Sequence, residues 1–189
     1  MGYRLIAAAT LQPVTLAEAK AHLRVDHTDE DDYITALIKA ATSYLDGRSG
    51  VLGRCLVTQT WEMTLDAFPA KEIELPLGPV ASLVSVKYIA VSGAEQTVPS
   101  GNYYVDTASL SARVVPEDTW PATMSAANAV TVRYVAGTAV EDVPAELGMA
   151  IRLLVGHWYA NRQAVTGATG TELPFGVGAL IAPFRRTSI

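Results

Sequence analysis

Hydrophobic periodicity changes twice along this 189-residue chain, from helical to alternating and back to helical. The first stretch opens with Thr15-Leu16-Ala17-Glu18, a capping-box pattern in which Thr15 accepts from a backbone N–H while Glu18 reaches back. Leu16, Ala19 and Leu23 then share one face. A second helix is expected from Thr28 or Asp29, because Asp29, Glu30, Asp31 and Asp32 suit the positive end of a helix macrodipole. Tyr33, Ile34, Leu37, Ile38, Ala41 and Leu45 recur every three or four residues, and Gly47 is a natural left-handed stop.

From Arg54 to Leu65 the period becomes two, with Cys55, Val57, Trp61, Met63 and Leu65 set against Thr58, Thr60, Glu62 and Thr64. Further strands are expected at Glu72–Leu75, Ser82–Val91, Tyr103–Val105, Arg113–Val115 and Ala129–Val135, separated by Gly, Pro and Ser turn signals. Strands joined by such short connections make an antiparallel sheet or small barrel. After Glu141-Asp142-Val143-Pro144 the helical period returns in Leu147, Ala150, Ile151, Leu154, Val155, Trp158 and Tyr159.

That apolar stripe needs partners, and the amino-terminal helices supply them. The expected class is therefore α+β: a small helical bundle built from both chain ends, an inserted antiparallel β-rich unit, and an extended C-terminal tail. The boundaries expected are 1–53 for the amino-terminal helices, 54–136 for the β unit, 137–163 for the third long helix and 164–189 for the tail. The tail has glycines at 167, 170, 176 and 178, yet Leu173, Phe175, Val177, Leu180, Ile181 and Phe184 are too apolar for a solvated terminus. Its cover is either the subunit's own core or a neighbouring protein, the second being favoured, and the segment is expected to be loose from about Gly167 in the free subunit.

Half the residues are hydrophobic, enough to bury a core, and the net charge is -5. A large cationic face for gripping nucleic acid is disfavoured, and the acidic balance suits a surface past which DNA slides without sticking. The lone Cys55 forms no intramolecular disulfide and belongs in a reducing compartment. No apolar run approaches a membrane span and no signal peptide is evident, which points to the cytosol.

Catalytic and metal-binding patterns are not met. His22, Asp26, His27 and Asp29 lack ligand spacing and read as a turn followed by a helix cap. His157 has no sequence-near nucleophile or carboxylate. Gly47-Arg48-Ser49-Gly50 follows a helix, where a nucleophile elbow needs a strand, and the glycines after 167 lack the Lys-Ser or Lys-Thr of a phosphate loop. Trp61, Tyr103, Tyr104 and Trp120 are candidate stacking platforms, read chiefly as core. The expectation is a protein that is not an enzyme, with no cofactor and no metal.

The chain resembles the head-tail connector, or adaptor, proteins of long-tailed bacteriophages and phage-derived gene transfer agents. The resemblance is carried by Pro13 through Arg24, Asp29-Glu30-Asp31-Asp32-Tyr33-Ile34 leading into Leu37-Ile38, Thr58-Gln59-Thr60-Trp61, and Leu75-Pro76-Leu77-Gly78-Pro79-Val80. Val143-Pro144, His157-Trp158-Tyr159 with Asn161-Arg162, and the closing Leu173 to Arg186 complete it. It implies a ring, typically twelve-fold, beneath the portal at the capsid vertex, extending the DNA channel and docking the next neck or tail component. The implied partners are the portal protein, neighbouring copies of the chain, and a head-closure or tail protein, with no membrane and no sequence-specific DNA contact. By the same resemblance the tail holds the portal, through Pro174, Phe175, Val177, Leu180, Ile181, Pro183, Phe184, Arg185 and Arg186. Its location would be the particle neck, after synthesis in the bacterial cytoplasm. Another neck component, head-closure or tail-completion, is the alternative reading, and a ligand-binding β module a more distant one.

Overall fold

The computed structural model describes residues 1–108, 111–162 and 175–186. The chain divides into two compact units, each made from two stretches of sequence: Met1–Ala9 with Val57–Thr138, and Thr10–Leu56 with Ala139–Ile189.

The helical unit holds α1 (Leu16–Leu23), α2 (Asp31–Leu45), α3 (Ala145–Ala160) and α4 (Phe175–Ile181). The capping box at Thr15 and Glu18 forms as the sequence requires, and α1 stops at Arg24 in left-handed conformation, φ 58°. The amide of Gly47, φ 72°, receives the chain after α2 and donates to the Arg54 carbonyl at 2.8 Å. Ile34, Ile38, Ala41 and Leu45 of α2 meet Leu147, Ala150, Ile151, Leu154 and Val155 of α3 in one fully enclosed core. Thus the helices from both ends of the chain pack together.

The β unit contains a five-stranded antiparallel sheet, in the order β1 (Gly2–Ala7), β2 (Gln59–Leu65), β8 (Val130–Ala136), β4 (Val80–Ile89) and β5 (Glu95–Thr97). A three-stranded sheet runs β3 (Ile73–Leu75), β7 (Ala112–Pro116), β6 (Tyr103–Asp106). Both sheets bury alternate residues: Val130, Val132, Tyr134 and Ala136 on β8, and Ile73, Leu75, Ala112 and Val114 on β3 and β7. The Tyr134 hydroxyl, fully enclosed with its ring, donates to the Pro76 carbonyl at 2.8 Å and so ties the larger sheet to the chain just past β3.

The amino terminus corrects the sequence reading. Residues 1–9 were expected with the helices, but Gly2–Ala7 is an edge strand whose Tyr3, Arg4 and Leu5 lie opposite Met63, Glu62 and Trp61. Tyr3, Leu5 and Ile6 make that segment a good strand former, and the strand that pairs it lies more than fifty residues on.

Candidate docking surface

The described part of the tail does not hang free. Over α4, Val177 and Ile181 are four residues apart, so they share one helix face, and both are fully buried in the helical unit. The face they meet belongs to α3, where Leu153 Cδ1 lies 3.8 Å from the position a Cβ on Gly176 would occupy. A turn later the Arg186 amide donates to the Leu52 carbonyl at 2.9 Å. The expectation of a segment that is loose until it docks is therefore corrected for residues 175–186: their apolar spacing matched a bare groove beside α3.

This packing sorts the tail residues. Val177 and Ile181 serve the subunit's own core. Leu180, Phe184 and Arg186 are half-buried, and Pro183 and Arg185 are exposed. Phe175 opens α4, and Pro174 lies outside the described residues. An apolar groove of about 350 Å³ on the same unit, lined by Leu11, Val14, Leu16, Ile38 and Val140, gives it further surface suited to protein contact.

A polar clamp holds the end of α3 to the start of α2. Tyr159 and Arg162 both donate to the Glu30 carboxylate, and the Arg162 guanidinium lies over the rings of Tyr33, at 4.7 Å, and Tyr159, at 5.0 Å. The Tyr159 and Arg162 hydrogen bonds hold the Glu30 carboxyl below its ordinary range. Lys20 adds an ion pair to Asp31 at 2.6 Å. Acidic residues read from the sequence as helix-start signals thus also fasten helices together, a role that one-dimensional spacing does not reveal.

At the opposite end of α2 the chain turns through Asp46 to Arg54. Asp46 Oδ1 accepts the Leu56 amide at 2.6 Å, and the turn folds back so that Val51 and Leu52 donate to the carbonyls of Tyr44 and Leu45. Arg54 Nε is buried there without a hydrogen-bond partner, and burial pushes its guanidinium below its ordinary value.

Among the described residues of the β unit, Glu62 sits on the side of its strand that alternation assigns to solvent, yet it is only 6% exposed. Strand register puts it between Arg4 and Arg133, which bond its two carboxylate oxygens at 2.6 and 2.7 Å. Burial pushes the carboxyl up, but the hydrogen bonds from Arg133 and Arg4 outweigh it and leave it lowered. A carboxyl lowered in the folded state stabilises fully above its unfolded value and loses that stabilisation as pH falls through its folded value. Glu62→Gln is expected to cost on the order of 1–2 kcal/mol at pH 7, since both arginines are partly exposed and screened. The variant should approach the parent's melting temperature as pH drops from about 5 towards 3; a gap that stays constant over that range would show that the triad contributes nothing to stability.

Of the four aromatic candidates, Trp61 is in the core with its indole N–H on Gln59 Oε1 at 3.0 Å. Trp120 stacks on Phe68, ring centroids 4.7 Å apart and planes 3° off parallel, with Tyr103 and Tyr88 beside the pair. Phe68 and Trp120 are half-buried, and Tyr104, 52% exposed, has no ring contact with the pair and stands clear of it. Among the described residues no three His, Cys, Asp or Glu side chains form a metal-binding group. His22 instead packs near Gly156, its Nε2 3.4 Å from where a Cβ would stand. Among the described residues no helix is long and apolar enough to cross a membrane.

Solved structures with this fold include a chain from the neck of an empty gene transfer agent particle computed with C6 symmetry, 24% identical with a TM-score of 0.78. Others come from the virion of the native particle, 23% and 0.79, and from the native neck computed with C12 symmetry, 21% and 0.71. In each case all of this chain and 97% of the other are covered. No curated protein matches the sequence. Residues 13–116, which run from α1 through the strands of the β unit to β7, match the model of the phage gp6-like head-tail connector proteins. With more than half of the sequence inside that match and the fold shared end to end with particle-neck chains, the chain belongs to the phage gp6-like head-tail connector family.

Proposed function

We propose that this protein is a ring-forming adaptor of the neck, seated under the portal vertex, extending the DNA channel and receiving the next neck or tail component. The observation that carries the reading is the family match over residues 13–116. The likeness to chains from necks of six-fold and twelve-fold symmetry supports a ring, most simply of twelve copies. The family is a structural one, and nothing in the described residues calls for catalysis. Particles assembled without this protein should have heads lacking attached tails when imaged by negative stain, and normal tailed particles would overturn the assignment.

The tail from Pro174 to Arg186 is the proposed portal contact, now with a division of labour. Val177 and Ile181 anchor it, and Leu180, Pro183, Phe184 and Arg185 are presented outward. Replacing Phe184 and Arg185 together by alanine should lower portal retention in a pull-down at least tenfold and shift the melting temperature by no more than a few degrees, because neither side chain is fully enclosed. Undiminished retention by a folded double variant would remove the tail from the interface.

A further inference from the structure

Among the described residues of the helical unit, two large hydrophobic side chains are exposed, Leu11 at 61% and Met149 at 39%. They belong to complementary shapes. Leu11 stands on the rim of the apolar groove of about 350 Å³, with Leu16, Thr35 and Val140 as its other walls and Val14 and Ile38 as its floor. Met149 lies on the outer side of α3, one turn after the exposed Ala145, so that the two make a low apolar ridge. One compact unit thus carries a hollow and a ridge that both leave apolar surface in water, and burying one in the other would remove that cost. A methionine, unbranched and with three rotatable bonds, is well suited to filling an irregular recess.

The charges beside them match. Lys39 follows the groove residue Thr35 by four positions on α2, so the two share a helix face, and it is exposed roughly 6 Å along the axis. Glu146 precedes Met149 by three positions on α3, roughly 4.5 Å along that axis, and is exposed as well. Neither has a hydrogen bond or ion pair among the described residues, whereas Lys20 is used by Asp31 and Arg152 by Glu18. Beyond Val140 the groove is flanked by the exposed Glu141 and Asp142, so an approaching carboxylate is drawn to Lys39 and repelled from that flank. An occupant is thereby given one orientation.

We propose that Met149 of one copy of this chain enters the groove of a second copy, with Glu146 of the first set against Lys39 of the second, so that the helical units join head to tail. Ridge and groove are different patches of one chain, which makes the contact heterologous, the kind that closes into a ring. The inference rests on the ring reading given above, which supplies every subunit with a neighbouring copy, and it names the contact between neighbours. The outward tail residues are left to the portal.

The test uses the full chain in sedimentation velocity over rising protein concentration. The parent should self-associate, whereas Met149→Asp and Leu11→Asp should each lose about tenfold or more in apparent association constant, with melting temperatures within a few degrees of the parent because both sites are exposed. An equimolar mixture of the two should form dimers and nothing larger, since each supplies the patch the other lacks and the resulting pair has no intact end left. Lys39→Glu and Glu146→Lys should each weaken association by about fivefold, and the chain carrying both should recover the parent's value. These charge reversals decide the matter should an aspartate variant fail to fold. A parent that stays monomeric, folded aspartate variants that associate like the parent, a mixture that builds species beyond the dimer or none at all, or a double reversal that does not recover association would each overturn the contact. Ring necks in particles built from folded Met149→Asp subunits would overturn it while leaving the ring reading intact, whereas tailed particles formed without the protein would remove the ring reading itself.

Discussion

Leu154→Asp is expected to unfold the helical unit. Leu154 is 1% exposed on α3, in the same enclosed core as Ile151, Val155 and the inner face of α2. Truncating a leucine in such a place costs about 2–5 kcal/mol through lost burial and the cavity left behind. Placing a carboxylate in the space adds several more, because the charge must either lose its water or take up a proton. The sum reaches or exceeds the ~5–15 kcal/mol that hold an ordinary domain together. Far-ultraviolet circular dichroism should show loss of helix at 25 °C and rapid proteolysis between α1 and α3. Met149→Asp, on the outer side of the same helix at 39% exposure, is the control and should change stability by no more than about 1 kcal/mol. A cooperative melt of Leu154→Asp coinciding with the parent's would contradict the packing of the two chain ends.

A comparable loss is expected in the β unit from a single methyl group. Gly137 has φ +98°, and a Cβ built there would stand 2.3 Å from the Val57 carbonyl oxygen, 2.4 Å from its carbon and 2.8 Å from the Thr58 nitrogen. All three are backbone atoms, so no rotamer change relieves the overlap. The surrounding backbone is also pinned, with the Gly137 amide on Pro79 O at 2.8 Å and the Thr58 amide on Thr138 O at 3.0 Å. Gly137→Ala must break part of this arrangement in addition to adopting a backbone angle that costs a β-carbon roughly 1–2 kcal/mol. A total of about 4 kcal/mol or more is expected, which for a unit of this size lowers the melting temperature by some 15–30 °C. Calorimetry that finds the variant within about 2 °C of the parent would show that the close approach is not a constraint.

What the sequence made legible was what period and capping chemistry encode locally. Thr15 with Glu18, the stripe from Tyr33 to Leu45, the alternation ending at Leu65 and the stripe from Leu147 to Tyr159 each appear where their spacing puts them. What it hid depends on pairing across the chain. Leu5 and Ile6 were visible as apolar residues, but nothing local says that their partner strand is β2. Glu62 reads as the solvent side of a strand until register places Arg4 on one flank and Arg133 on the other. Arg186 reads as part of a tail until Leu52 is found to hold its amide. In the tail, glycine content points to a loose segment while the four-residue spacing of Val177 and Ile181 marks a short helix with one buried face, and the spacing prevails.

The interleaving of the two units also sets an order of events during synthesis. The β unit is complete in sequence once Thr138 has emerged, since its remaining strand comes from the first nine residues. The helices α1 and α2 leave the ribosome well before that, but their apolar stripe has no lasting partner until α3 follows, about 100 residues later. At about 5–20 residues per second that is a wait of roughly 5–20 s with an uncovered hydrophobic face. The tail proposed to meet the portal belongs to this late-maturing unit, and its anchors Val177 and Ile181 emerge only after α3. A nascent subunit is therefore unable to enter an assembly before its own core has closed, so the order in which the polypeptide appears acts as a timer against premature polymerisation.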